Sequence, residues 1–98
     1  MFLKGGRIPK KLYPGVGGTH SQEIEVPENV EDLYAVMNGF VIEYSGGDNH
    51  IKKMEIDLHV HHEAGETTAT LKCDFNLRDE NTSGDTFWAG CDYLLIGK

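Results

Sequence analysis

Apolar and polar residues alternate with period two along most of the chain. From Lys52 to His61, Met54, Ile56, Leu58 and Val60 fall on one side, and Lys53, Glu55, Asp57, His59 and His61 on the other. From Thr67 to Leu77 the pattern repeats, with Ala69, Leu71, Cys73, Phe75 and Leu77 on one side and Thr68, Thr70, Lys72, Asp74 and Asn76 on the other. Strict alternation of this kind predicts half-buried antiparallel strands. Glu23–Val26 alternates and ends at Pro27, and in the segment 40–45 Phe40, Ile42 and Tyr44 share a face. Asp32 to Asn38 reads either as a short helix capped by Asn29 or as a strand, with Gly39 marking a bulge or bend. Thr86 to Ile96 is apolar on both sides, which predicts a central strand or an interface.

The segments on either side of Glu63-Ala64-Gly65-Glu66 form a hairpin. If the loop has four residues, His62 meets Thr67, and Leu58–Leu71, Ile56–Cys73 and Met54–Phe75 become core pairs. The outer pairs are then His61–Thr68, His59–Thr70, Asp57–Lys72 and Glu55–Asp74, the last a like-charge pair within a lattice of lysines. A one-residue slip inverts the faces of one strand and is excluded, whereas a two-residue slip preserves them and stays open. Five or six strands and no secure helix predict an all-β protein of about six strands, an antiparallel β-sandwich or jelly-roll-like fold.

The chain has 98 residues, which suits one domain. Residues 1–22 stand apart, with Lys4, Arg7, Lys10 and Lys11, no carboxylate, five glycines and two prolines. They read as a basic arm, flexible or wrapped on a neighbouring subunit, ahead of a β-sandwich over 23–98. The rest carries five Lys/Arg against 16 Asp/Glu, and the whole chain is −7. That field opposes nucleic acid and anionic lipid, and no apolar run reaches membrane-span length, so neither partner is expected. The start lacks an apolar run of signal-peptide length. The compartment stays open: a soluble protein, with virion-associated and extracellular settings both compatible.

Several residues invite a chemical reading. His59 and His61 lie two apart on one strand face, close enough to share a metal, while the plainer alternative is a solvated sheet face. Asp48, Asn49 and His50 in one loop, with Trp88 and Tyr93 as aromatic surfaces, could recognise a ligand such as a sugar. Asp79, Glu80, Asn81 and Asp85 form a second oxygen-rich loop, but neither matches a twelve-position calcium loop. Asn81-Thr82-Ser83 fits a glycosylation triplet. Cys73 belongs to the core face and Cys91 could face it, which leaves their bonding open. No nucleophile elbow, phosphate loop or cleft-forming carboxylate pair is present, so no enzyme activity and no cofactor are expected.

Asn38-Gly39-Phe40 entering a strand and Tyr93-Leu94-Leu95-Ile96-Gly97 at the end resemble H-type lectin domains over residues 24–97. Tyr93 stands where that family has tryptophan, and Leu95 where it has alanine. The resemblance implies a six-stranded antiparallel sandwich, trimers or hexamers, and binding of N-acetylgalactosamine-like sugars. Two functional expectations stand: from the basic arm and the apolar last strand, a self-associating structural or assembly protein, such as a viral or phage particle component; and a lectin-like carbohydrate-binding module using its end loops.

Overall fold

The computed structural model describes residues 1–46, 51–79 and 85–98. Six strands form: β1 (Phe2–Tyr13), β2 (Gly18–Glu25), β3 (Leu33–Tyr44), β4 (Ile51–His61), β5 (Thr68–Asp79) and β6 (Phe87–Gly97). They make two three-stranded antiparallel sheets, β1-β6-β3 (sheet A) and β2-β5-β4 (sheet B). The result is the expected antiparallel β-sandwich, with principal extents of 49 × 19 × 18 Å.

The core lies between the two central strands. Leu71, Cys73, Phe75 and Leu77 of β5 meet Phe87, Ala89, Cys91, Tyr93 and Leu95 of β6, all buried. Tyr13 packs between Phe75 and Phe87, with ring centroids 5.4 and 5.7 Å away. A smaller cluster of Val26, Val30 and Ala69 closes one end. Apolarity on both sides of β6 fits its central place in sheet A.

Segment 32–38 is strand, not helix. Leu33, Ala35 and Met37 turn inward and Tyr34 and Val36 outward, and the register shifts by one residue between Met37 and Gly39. This is the bulge expected near Gly39.

The β4–β5 hairpin keeps the expected faces but is shifted by two residues. Leu58 pairs with Cys73, Ile56 with Phe75, and Met54 with Leu77. On the outside His59 meets Lys72 and Asp57 meets Asp74, so the expected Asp57–Lys72 pair does not form in register. The start of β5 is drawn to the other neighbour instead: Glu25 pairs with Thr68, and Val26 N–H donates to Thr67 O at 2.8 Å. A turn does form at 63–66, with Glu66 N–H donating to Glu63 O and Gly65 at φ +85°, but it does not close a four-residue hairpin loop, because the last β4–β5 pair is His61 with Thr70 in place of His62 with Thr67.

Residues 1–22 depart most from expectation. They supply β1 and most of β2, hydrogen-bonded into both sheets, in place of an arm outside a sandwich that starts at residue 23. Ile8 and Tyr13 are core residues. The glycines serve as space: a Cβ on Gly6 would lie 2.3 Å from the Tyr93 hydroxyl, and one on Gly18 2.3 Å from the Tyr13 ring. Pro9 falls in a β1 bulge between Ile8 and Lys11, where a missing N–H is tolerated.

Candidate functional site

The two sheets present opposite chemistry to the outside. Directly opposed residues in an antiparallel sheet share a face, so the pairings define rows across it. Along sheet A the outward rows are Leu3–Ile96–Tyr34, Gly5–Leu94–Val36, Arg7–Asp92–Gly39, the bulge at Pro9 and Lys10 with Gly90–Val41, and Leu12–Trp88–Glu43. Leu3, Leu12, Tyr34, Val36, Val41 and Trp88 are all exposed. On sheet B the outward residues are Thr19, Ser21, Glu23 and Glu25 of β2, Thr68, Thr70, Lys72, Asp74, Asn76 and Arg78 of β5, and Lys53, Glu55, Asp57, His59 and His61 of β4. Sheet B is therefore polar outside, with five carboxylates against three Lys/Arg, and sheet A is largely apolar.

The charges on the outward face of sheet A are paired. Arg7 donates from Nε to Asp92 Oδ1 at 2.7 Å and from its terminal nitrogen to Oδ2 at 3.4 Å. The hydrogen bond and charge of Arg7 hold the Asp92 carboxyl below the usual carboxylate range, and Asp92 in turn raises Arg7. Lys10 pairs with Glu43 and also lies 5.6 Å from the centroid of the Trp88 ring. Between these pairs the face dips into a hollow of about 450 Å³ over Gly39 and Gly90, walled by Arg7, Lys10, Phe40 and Val41. Gly90 has no room for a side chain, since a Cβ would stand 2.8 Å from Ile8 O and 2.9 Å from Lys10 N. A Cβ on Gly39 would meet nothing closer than Asp92 Oδ2 at 3.7 Å.

On sheet B the two-residue shift rearranges the histidine row. Asp57, His59 and Asp74 each place one ligand-type atom within 4.8 Å of the others. His59 Nδ1 is 4.0 Å from Asp57 Oδ1, and Thr19 Oγ1 donates to Asp74 Oδ1 at 2.5 Å. An oxygen-rich set with one imidazole suits a divalent cation, although all three residues are solvent-exposed. His61, the expected partner of His59, shares its face but lies beside Glu63, 3.4 Å from its carboxylate. His62 is apart from both and contacts Glu66 O at 2.9 Å.

The expected sugar-binding residues do not come together as one platform. Trp88 is outward on sheet A, while Tyr93 is buried between the sheets, its hydroxyl accepting from Gln22 Nε2 at 3.1 Å. Five is an odd spacing, so on a regular strand the two rings face opposite ways. Asp48, Asn49 and His50 lie outside the described residues, as do Glu80, Asn81 and the rest of the glycosylation triplet. Cys73 and Cys91 are free and buried in the same core cluster. Burial is the main cause that pushes Cys73 up to about 12, and it raises Cys91 as well. Neither is placed as a nucleophile.

The apolar face was half visible in the sequence. Two-sided apolarity of β6 marked it, and Leu3 and Leu12 stood out as apolar anchors of a subunit-wrapping arm, but glycine and proline hid that their segment is a strand of the same sheet. Comparison with family models, curated proteins and solved structures finds no match for the chain. No helix among the described residues is long and apolar enough to cross a membrane.

Proposed function

We propose that the protein is a non-enzymatic structural module that works by self-association, a building block of the kind used in viral or phage particles. The observation that carries this reading is the uncovered apolar face of sheet A. Single exposed apolar residues are ordinary, but here Leu3, Tyr34, Val36, Val41, Leu12 and Trp88 share one sheet surface. A lone domain gains nothing by exposing such a face, whereas a subunit buries it. Light scattering of the full chain at high micromolar concentration tests the reading. The expected mass is a multiple of the 10.9 kDa chain, and a monomer at that concentration contradicts it.

A lectin-like module is the second reading. Trp88, with Lys10 against its ring and the hollow over Gly39 and Gly90 beside it, offers an aromatic surface next to polar groups. The resemblance to H-type lectin domains adds to this reading. Retention on a glycan array, lost in Trp88→Ala, is expected if it holds, and a flat array across a broad sugar panel counts against it.

A further inference from the structure

We infer that the outer face of sheet A takes a second copy of this chain, seated face to face about a two-fold axis that crosses the strands at Asp92. This rests on the self-association reading and specifies its geometry.

Three of the four edge strands are poor docking sites, while the fourth, β2, runs in unbroken register with β5. β1 carries Lys4, Lys10 and Lys11 and is bulged at Pro9, β3 is bulged at Asn38, and β4 has a register shift between Ile51 and Lys53. Charges, proline and bulges on edge strands oppose the addition of another strand. Lys4 and Lys11 are in register with the core residues Leu95 and Ala89, so they sit on the inward side of the edge, where a charge is most obstructive. Strand addition is thus opposed at three of the four edges.

Charge then selects between the faces. The chain is −7, and sheet B's outer face carries Glu23, Glu25, Glu55, Asp57 and Asp74 against Lys53, Lys72 and Arg78, five negative charges to three positive. Sheet A's face is neutral, because Arg7 matches Asp92 and Lys10 matches Glu43. Two copies repel each other least when they meet through sheet A. With strands about 4.8 Å apart and about 3.4 Å per residue, three strands of eleven residues present roughly 500 Å². A pair of such faces buries roughly 1,000 Å², below the roughly 1,200–2,000 Å² of stable interfaces and within the range of weak, transient ones.

Shape selects the axis. Asp92 is the middle of the five outward β6 positions, 88, 90, 92, 94 and 96. A two-fold axis running along β6 sets Leu94 on Leu94 and leaves the two hollows facing each other, empty. An axis crossing the strands at Asp92 sets Leu94 of each copy over Gly90 of the other, so a side chain enters each hollow. The same operation sets Trp88 on Ile96, Val36 on Val41, Leu12 on Leu3 and Tyr34 on Glu43, and it brings the two Arg7–Asp92 pairs together on the axis, each neutralised within its own copy. An isologous interface of this kind closes as a dimer.

The test uses the full chain with two variants and a control. Leu94→Glu places a charge on the outward side of β6 and is expected to weaken dimerisation at least about tenfold while the far-UV spectrum is retained. Gly39→Cys, which the fold has room for, places a thiol near its own symmetry mate and is expected to give a covalent dimer with a short bis-maleimide. Thr70→Cys on sheet B is the control and is expected to give none. A wild-type monomer overturns both this inference and the self-association reading. A wild-type oligomer that Leu94→Glu leaves intact, or in which Gly39→Cys fails to cross-link, overturns the geometry alone. If Leu94→Glu does not fold, the Gly39→Cys result decides.

Discussion

Asp57 and Asp74 stand directly opposite each other on the outer face of sheet B, two carboxylates in one cross-strand pair. Thr19 donates to Asp74, and no lysine is in register between the two. Like charges directly opposed on a sheet destabilise it. Asp57→Asn is therefore expected to raise stability by about 0.2–1 kcal/mol at low salt, read from denaturant midpoints, with the gain shrinking as salt screens the pair. An unchanged or lowered midpoint would mean that the repulsion is already relieved in the wild type.

Gly90 and Gly39 lie on neighbouring outward rows of sheet A and differ sharply in what a methyl group would meet. At Gly90 the contacts are backbone atoms of the β1 bulge, 2.8–3.0 Å away. Gly90→Ala must move that bulge and is expected to cost about 1–3 kcal/mol. Gly39→Ala meets only ordinary contacts and is expected to change stability by less than about 0.5 kcal/mol. Chemical denaturation of the two variants side by side checks the contrast, and equal losses would contradict this account of the bulge.

Deleting residues 1–22 removes β1 and most of β2, and with them Ile8 and Tyr13 from the core. The truncated chain is expected to lose cooperative unfolding altogether. A truncation that keeps a sharp melt would place the first 22 residues outside the folded unit.

The sequence misled at this segment for a physical reason. Gly5, Gly6, Pro9 and Gly18 signal turns when only local propensity is weighed. In the fold Gly6 and Gly18 make room for the Tyr93 and Tyr13 rings, and Pro9 occupies a bulge. Those rings come from distant or inward positions that no local pattern reveals. By contrast, which side of β4 and β5 faces the core was fully legible, because alternation decides it. Their register was legible only to within two residues, since a shift of two keeps every side chain on its face. That shift is what replaced the Asp57–Lys72 pair by Asp57 against Asp74 and grouped His59 with them. On sheet A the two-sided apolarity of β6 was legible, but not which of its sides faces outward, nor which residues of β1 lie beside it.

Cys73 and Cys91 are buried in the core as free thiols, and burial pushes Cys73 up to about 12. Its folded value lies above the ordinary thiol value of 9.0. The protonated thiol of the fold is thus a source of stability that is fully present below about pH 9. It is lost as pH rises toward 12, at up to about 1.4 kcal/mol per pH unit. Denaturation midpoints taken between pH 8 and pH 11 are expected to fall, and less steeply in Cys73→Ala. At neutral pH both thiols should resist an aromatic disulfide reagent until the protein unfolds. Rapid labelling of the native chain would contradict their placement.

Sedimentation equilibrium of the wild-type full chain, from low to high micromolar concentration at neutral pH, tests the role of sheet A most directly. The expected result is a concentration-dependent shift from one chain toward the mass of two, abolished or weakened by Leu94→Glu and unaffected by a charge change at Thr70 on sheet B. A single species of 10.9 kDa across the whole range would contradict it.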